Sequence, residues 1–221
     1  MAPGVRVHFE QRLAQLNEDV LQLGTLARRA VARGLQALGD SDQDLAREVI
    51  VEDVSLNRMR FDVEAQCYAL LATEQPVASD MRAIVAALII VGDLERIGDH
   101  GKMIARIFLR MLEDPRPIEL GDIGRLGEMS LNMLDRALRA LSSRDVEEAQ
   151  AICAADDEVD AFYKQTFNVV LSYMLENPRL IGAGTHLLQV AHELERVSDR
   201  ATNVAERVIY AVTGELIDLN R

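Results

Sequence analysis

Tryptophan is missing from this 221-residue chain, and phenylalanine and tyrosine together make up only 4% of it. A core without large rings has to be built from Leu, Ile, Val, Ala and Met, the usual material of packed helices. Five prolines and thirteen glycines are too few for the many tight turns of an all-β design. Cysteine is scarce as well. Cys67 and Cys153 lie far apart and form no CxxC, which argues against a disulfide framework and for buried, reduced thiols. No apolar run approaches the roughly 20 residues a membrane-spanning helix needs; the most continuous stretch is 83–92. Near the start, Arg6, His8, Glu10 and Arg12 interrupt any apolar leader core, so a cytosolic location is expected.

Positive charge is also in deficit. Lys and Arg number 24 against 36 Asp and Glu, a formal net charge of −12. Phosphate backbones and anionic lipids both call for a cationic surface, so general nucleic-acid binding and unaided membrane adhesion are disfavoured. Solubility and cation binding are the roles such a charge suits.

What the chain does have is long helical periodicity, over 7–38, up to about 73, 77–112, 120–141, 146–176 and 179–213. The breaks are Gly39-Asp40-Ser41-Asp42, Pro76, Pro115-Arg116-Pro117, Ser142-Ser143-Arg144-Asp145 and Asn177-Pro178. In the first of these Gly39 is expected to be the C-cap glycine and the following polar residues the N-cap. Helices of about 30 residues span roughly 45 Å and leave no room for alternating strands.

The segments repeat. Leu94-Glu95-Arg96-Ile97-Gly98-Asp99 returns as Leu194-Glu195-Arg196-Val197-Ser198-Asp199, an offset of 100 residues. Upstream the offset is 103: Leu35, Leu38, Asp42 and Asp53 match Leu138, Leu141, Asp145 and Asp156. Helices one to three thus correspond to helices four to six. The expected fold is all-α, with six long helices as two tandem, pseudo-symmetric three-helix bundles, repeat one over 1–114 and repeat two over 118–221.

Within each repeat one carboxylate pair stands out. Helix three places Ala87, Ile90, Leu94, Ile97, Gly101, Ala105 and Phe108 on one stripe, with Glu95 and Asp99 one turn apart on its flank. Asp93 lies about 200° from Glu95 and cannot share its site. Glu195 and Asp199 repeat the pattern in helix six. Asp156 and Asp160 form a second i,i+4 row on helix five, whereas their counterparts on helix two are Asp53 and the amide Asn57. If the rows face each other, several oxygens converge. Two like charges at 4 Å repel by about 4 kcal/mol at an effective dielectric near 20, a penalty a multivalent cation converts into binding. An oxygen-rich, sulfur-free set suits magnesium, manganese or iron better than structural zinc. The plain alternative is that a Glu-x-x-x-Asp pair is only a solvated helix face.

Catalytic patterns are missing. His100 and His192 adjoin the pairs, but neither follows a Glu by three residues, as a ferritin-like di-metal oxidase or iron-storage bundle requires. That bundle is the rival class. No Walker loop, dinucleotide fingerprint or nucleophile elbow occurs. Arg96 and Arg196 are expected to pair with Asp93 and Glu193, three residues earlier. No arginine cluster or glycine-rich nest marks phosphate itself as a ligand.

At Gln75-Pro76-Val77-Ala78-Ser79-Asp80-Met81-Arg82, the two Leu-Glu-Arg hexapeptides and Val208-Ile209-Tyr210-Ala211-Val212-Thr213-Gly214-Glu215, the chain resembles the PhoU family of phosphate-signalling regulators over essentially its whole length. The resemblance implies two three-helix bundles and a non-enzymatic negative regulator of phosphate uptake and phosphate-starvation signalling. Such a regulator links the ATPase of a phosphate ABC transporter to a sensor histidine kinase. A homodimer, cytosolic or peripheral at the membrane, is implied too, as are multinuclear iron or zinc clusters, or magnesium or manganese, on Glu/Asp-x-x-x-Asp motifs. Carried over, those motifs implicate Glu95, Asp99, Glu195, Asp199, Asp156, Asp160 and Asp53.

Overall fold

The two innermost helices set the architecture, because each must be covered on most of its circumference. In a computed structural model that describes residues 3–113 and 121–217, with side chains from residue 6, the elements are α1 (Pro3–Asp40), α2 (Gln43–Thr73), α3 (Ala78–Met111), α4 (Ile123–Ser143), α5 (Val146–Glu176) and α6 (Ile181–Thr213). A single 3-10 turn at Pro178–Leu180 precedes α6. Among the described residues there is no strand, and none of the helices is long and apolar enough to cross a membrane. The Pro115-Arg116-Pro117 linker lies outside the described residues.

α3 and α6 bury fifteen residues each, against six on each of α2 and α5. The first triplet packs α1 and α2 onto α3; the second packs α4 and α5 onto α6. The triplets meet along α3–α6 and α1–α4, while α2 and α5 stay on the outside of their own triplets. This is the expected pair of three-helix bundles, joined through one continuous apolar core.

A pseudo-twofold relation shows in the seam. The side chain of Leu138 lies on Gly24 and that of Leu35 on Gly127, reciprocal contacts between residues 103 apart. Asp93 accepts from Arg200 Nη1 at 2.9 Å, and Glu193 meets His100 Nδ1 at 2.6 Å, a reciprocal exchange of residues 100 apart. These cross-seam pairs correct the local pairing expected for Arg96 and Arg196: Asp93 and Glu193 reach across to the other repeat, and Arg196 turns to Asp199 at 3.4 Å. A partner across the seam is the available solution for Asp93, which the packing of α3 against α6 has buried, and for the partly buried Glu193, since a buried charge without one costs several kcal/mol.

The interhelical turns repeat as well. The helix does not stop at Gly39, as the sequence suggested; it runs on to Asp40, and Ser41 takes the left-handed position at φ 56°. Arg144 does the same at φ 56° after α4. The amides of Asp42 and Asp145 close each turn onto Ala37 and Ala140 at 2.9 and 3.0 Å. Each Asp then caps the next helix with its side chain. The capping and the closing bonds outweigh the roughly 1–2 kcal/mol left-handed penalty of a residue with a Cβ.

Small residues decide how closely α1 approaches α3. A Cβ on Gly101 would sit 2.5 Å from the backbone of Ala30 and Val31, and one on Gly34 2.6 Å from the Gly101 carbonyl oxygen. Gly98 is filled by Leu56 of α2, in keeping with its expected place on the core side. Gly101→Ala should therefore cost about 1–3 kcal/mol in urea unfolding through overpacking against backbone. Gly39→Ala, where a Cβ meets nothing within 4 Å, should instead stabilise by about 0.5–1 kcal/mol. Equal effects at the two positions would contradict the close crossing.

Candidate functional site

The flank of α3 that faces α2, and the flank of α6 that faces α5, are where the core stripe gives way to solvent. Every acid singled out from the sequence stands there. In repeat two, oxygens of Asp160, Glu195 and Asp199 all lie within 4.8 Å of one another. Asp156, one turn before Asp160, faces the same groove. The side chains of Glu195 and Asp199 are 20% and 25% exposed, so the cluster is half-buried rather than fully solvated.

The electrostatics follow from that burial. Glu195 is pushed up to about 7 by desolvation first, then by the charges of Asp199 and Asp160. Asp156 is pushed up to about 6 by burial and the same two neighbours, with a Thr202 hydrogen bond opposing. Burial also raises Asp199, although Arg196 works against it. Among the described residues, cations stand at the rim: Lys164 reaches Asp160 at 3.3 Å, Arg196 reaches Asp199, and His192 Nδ1 lies 3.4 Å from Glu195 Oε2 outside hydrogen-bonding alignment, while the charge of Arg200 also acts on Asp199. Inside, Asp156 Oδ1 and Glu195 Oε2 are buried without a hydrogen-bond partner.

Repeat one uses the same backbone differently. Lys102 inserts its ammonium between Asp53 at 2.7 Å and Asp99 at 2.5 Å. Burial alone would lower that ammonium's pKa; the bonds to Asp53 and Asp99 raise it on balance. Asn57 donates to Asp53 at 3.0 Å, and Arg60 lies 3.8 Å from Glu95. Asp53, Glu95 and Asp99 are thus gathered on one groove, but round an internal cation. The two pairs share helix geometry, as the sequence indicated, yet not surroundings.

The sequence reading overlooked Lys102 and Arg60. Their signal lay in the repeat itself: at the same offsets repeat two carries Thr202 and Tyr163, so two cations become neutral groups. His100 is drawn to Glu193 across the seam and does not face the α3 pair. Cys67 is buried and Cys153 partly so; burial pushes both thiols up to about 11, away from reactivity.

Because the folded state raises Glu195 and Asp156 above the unfolded values of 4.5 and 3.8, it holds their protons more tightly. The stability this confers is complete below the unfolded values and is lost as pH rises through about 6 to 7. In chelator-treated protein the melting temperature should therefore fall between pH 5 and 8, and Glu195→Gln should flatten that slope. A wild-type slope that Glu195→Gln leaves intact would refute the assignment.

Comparison with known proteins converges on one family. The PhoU domain profile matches residues 20–108 and again 123–208. The chain is 35% identical over 213 residues to a phosphate-specific transport system accessory protein PhoU homolog of Clostridium acetobutylicum, covering 96% of this chain and 97% of that one. It is 38% identical over 208 residues to a protein of the same name from Rhizobium meliloti, covering 93% and 87%. Among solved structures, the phosphate transport system regulatory protein PhoU from Streptococcus pneumoniae superposes with a TM-score of 0.89 at 31% identity, over 95% of this chain and 99% of that one. PhoU from Pseudomonas aeruginosa gives 0.90 at 33% identity, over 94% and 100%. Two profile matches on two helix triplets, together with near-full-length relatives of the same architecture, mean that the chain belongs to the PhoU family.

Proposed function

We propose that this protein is an accessory regulator of phosphate-specific transport, a negative regulator that restrains phosphate uptake and phosphate-starvation signalling. The observation that carries the reading is the near-full-length relationship to proteins named for that system. In this reading the helical scaffold docks on the ATPase of the phosphate ABC transporter and on a sensor histidine kinase, and passes transport state from one to the other. Large apolar side chains exposed on α5 (Phe167, Leu171 and Leu175) suit a contact with such a partner or with a second subunit. The role is one of binding and needs no catalytic residue.

The repeat-two carboxylates would hold a cation in that scaffold. Their fit rests on three convergent carboxylates with a fourth beside them, on buried oxygens without partners, and on an all-oxygen donor set. Iron, manganese and magnesium agree with that chemistry better than structural zinc. Asp160, Glu195 and Asp199 would be the ligands, with Asp156 in support. A bound cation would neutralise the groove and tie α5 to α6. Repeat one fits less well, because Lys102 already supplies the positive charge between Asp53 and Asp99.

Two measurements test this. Deleting the gene in its native host should derepress phosphate-starvation genes in phosphate-rich medium; unchanged expression and uptake in rich and starved medium would remove the regulatory role. Metal analysis after reconstitution should find the repeat-two site filled, and a Glu195→Ala, Asp199→Ala double variant should lose that metal. Replacing Lys102 by Thr and Asn57 by Asp together should raise the stoichiometry by copying the repeat-two set into repeat one. Less than one equivalent bound by the wild-type chain would sink the metal reading.

A further inference from the structure

A cavity of about 190 Å³ opens at the end of the molecule where the start of α3, the middle of α1, the α4–α5 turn and the end of α6 meet. Its floor is apolar, with Val20, Ile90 and Val208 among the lining residues, and its polar groups include Asn17, Arg82 and Arg144. It shares no residue with the acidic groove.

The arginines are what distinguish it. Arg82 Nε is buried and makes no hydrogen bond. Among the described residues Arg82 has no ion pair either, although the chain carries an excess of twelve negative charges over positive ones. Its side chain lies against Gly214, the left-handed residue that ends α6, 3.5 Å from where a Cβ would stand. Asp80 also lines the cavity, but its carboxylate is already bound by Arg6 at 3.0 Å. Arg144 reaches the rim from the α4–α5 turn, where its left-handed backbone closes α4. A guanidinium packed against Gly214, with its Nε buried and unused, is poised for an oxyanion, and arginine favours phosphate and carboxylate through paired donors. The floor calls for something more than a bare ion. A dry cavity of about 150 Å³ accommodates one benzene ring, so this one has room for a ring-sized apolar group.

We propose that the cavity binds a small organic oxyanion, a phosphate or carboxylate head on an apolar body of about one ring. Arg82 is the principal partner of the head, and Arg144 and Asn17 complete its surroundings. The apolar body lies on the Val20, Ile90 and Val208 floor. This site was not legible in the sequence, because Arg82 and Arg144 stand 62 positions apart and line one cavity only in the folded chain. The proposal depends neither on the metal site nor on the regulatory reading.

The test uses the full chain after chelator treatment, so that no probe is recruited by metal, with titrations followed by calorimetry or amide NMR. Phenyl phosphate and benzoate should each bind saturably, phenyl phosphate with a dissociation constant of about 1 mM or below, and inorganic phosphate about tenfold more weakly. Phenol should not saturate. Arg82→Gln should weaken phenyl phosphate by about tenfold or more while the circular dichroism spectrum is retained. If that variant does not fold, Arg144→Asn, at an exposed turn where Asn tolerates the left-handed backbone, should weaken binding several-fold. No saturation by about 10 mM phenyl phosphate, or the same affinity in the folded arginine variants, would overturn the site. Phenol binding as tightly as phenyl phosphate would overturn the anion selectivity, and inorganic phosphate binding equally well would overturn the apolar subsite.

Discussion

Everything in this fold depends on the burial of α3 and α6 against each other and inside their own triplets. A helix covered on most of its circumference can carry polar residues only where it meets a paired charge or where it emerges at a flank. Both occur here. Asp93 and Glu193 are matched across the seam by Arg200 and His100, while Glu95, Asp99, Glu195 and Asp199 emerge toward α2 and α5. The cross-seam pairs fix the axial alignment of the triplets, since sliding either helix by one turn would leave the buried Asp93 and the partly buried Glu193 without partners.

Duplication supplied two copies of one backbone, and a few side chains then gave the copies different electrostatics. Where repeat two has Asp160, Tyr163 and Thr202, repeat one has Asn57, Arg60 and Lys102. An ammonium between two carboxylates relieves most of their repulsion, which is worth about 4 kcal/mol per contact at an effective dielectric near 20. Repeat two leaves that repulsion in place, where it adds to the burial that raises Glu195 and Asp156. The first groove is braced from within; the second is left open to a cation from outside.

The molecule therefore keeps three chemically distinct places on one scaffold: a self-neutralised groove, an acidic groove, and an apolar cavity rimmed by arginine. Membership of the PhoU family links that scaffold to phosphate transport through its relatives. The geometry adds that the two repeats are not interchangeable, since only one retains buried carboxylate oxygens with no internal cation between them.

Helix number, helix limits to within a few residues, the duplication and the carboxylate rows were all legible in the sequence, because they follow from periodicity along a single helix. Val146–Glu176 matches the expected limits of α5, and the exclusion of Asp93 from the site holds because 200° of helical arc separates it from Glu95. What lay between helices was not legible. The partner of Asp93 is 107 residues away, Lys102 reaches Asp53 across 49 residues, and Arg82 and Arg144 share a cavity across 62. Even the choice of Ser41 over Gly39 as the left-handed residue was made by the turn that had to place Asp42 as a cap. Local periodicity decides which face of a helix is apolar. Which charges then meet is decided by how the helices cross, and that is a property of tertiary packing alone.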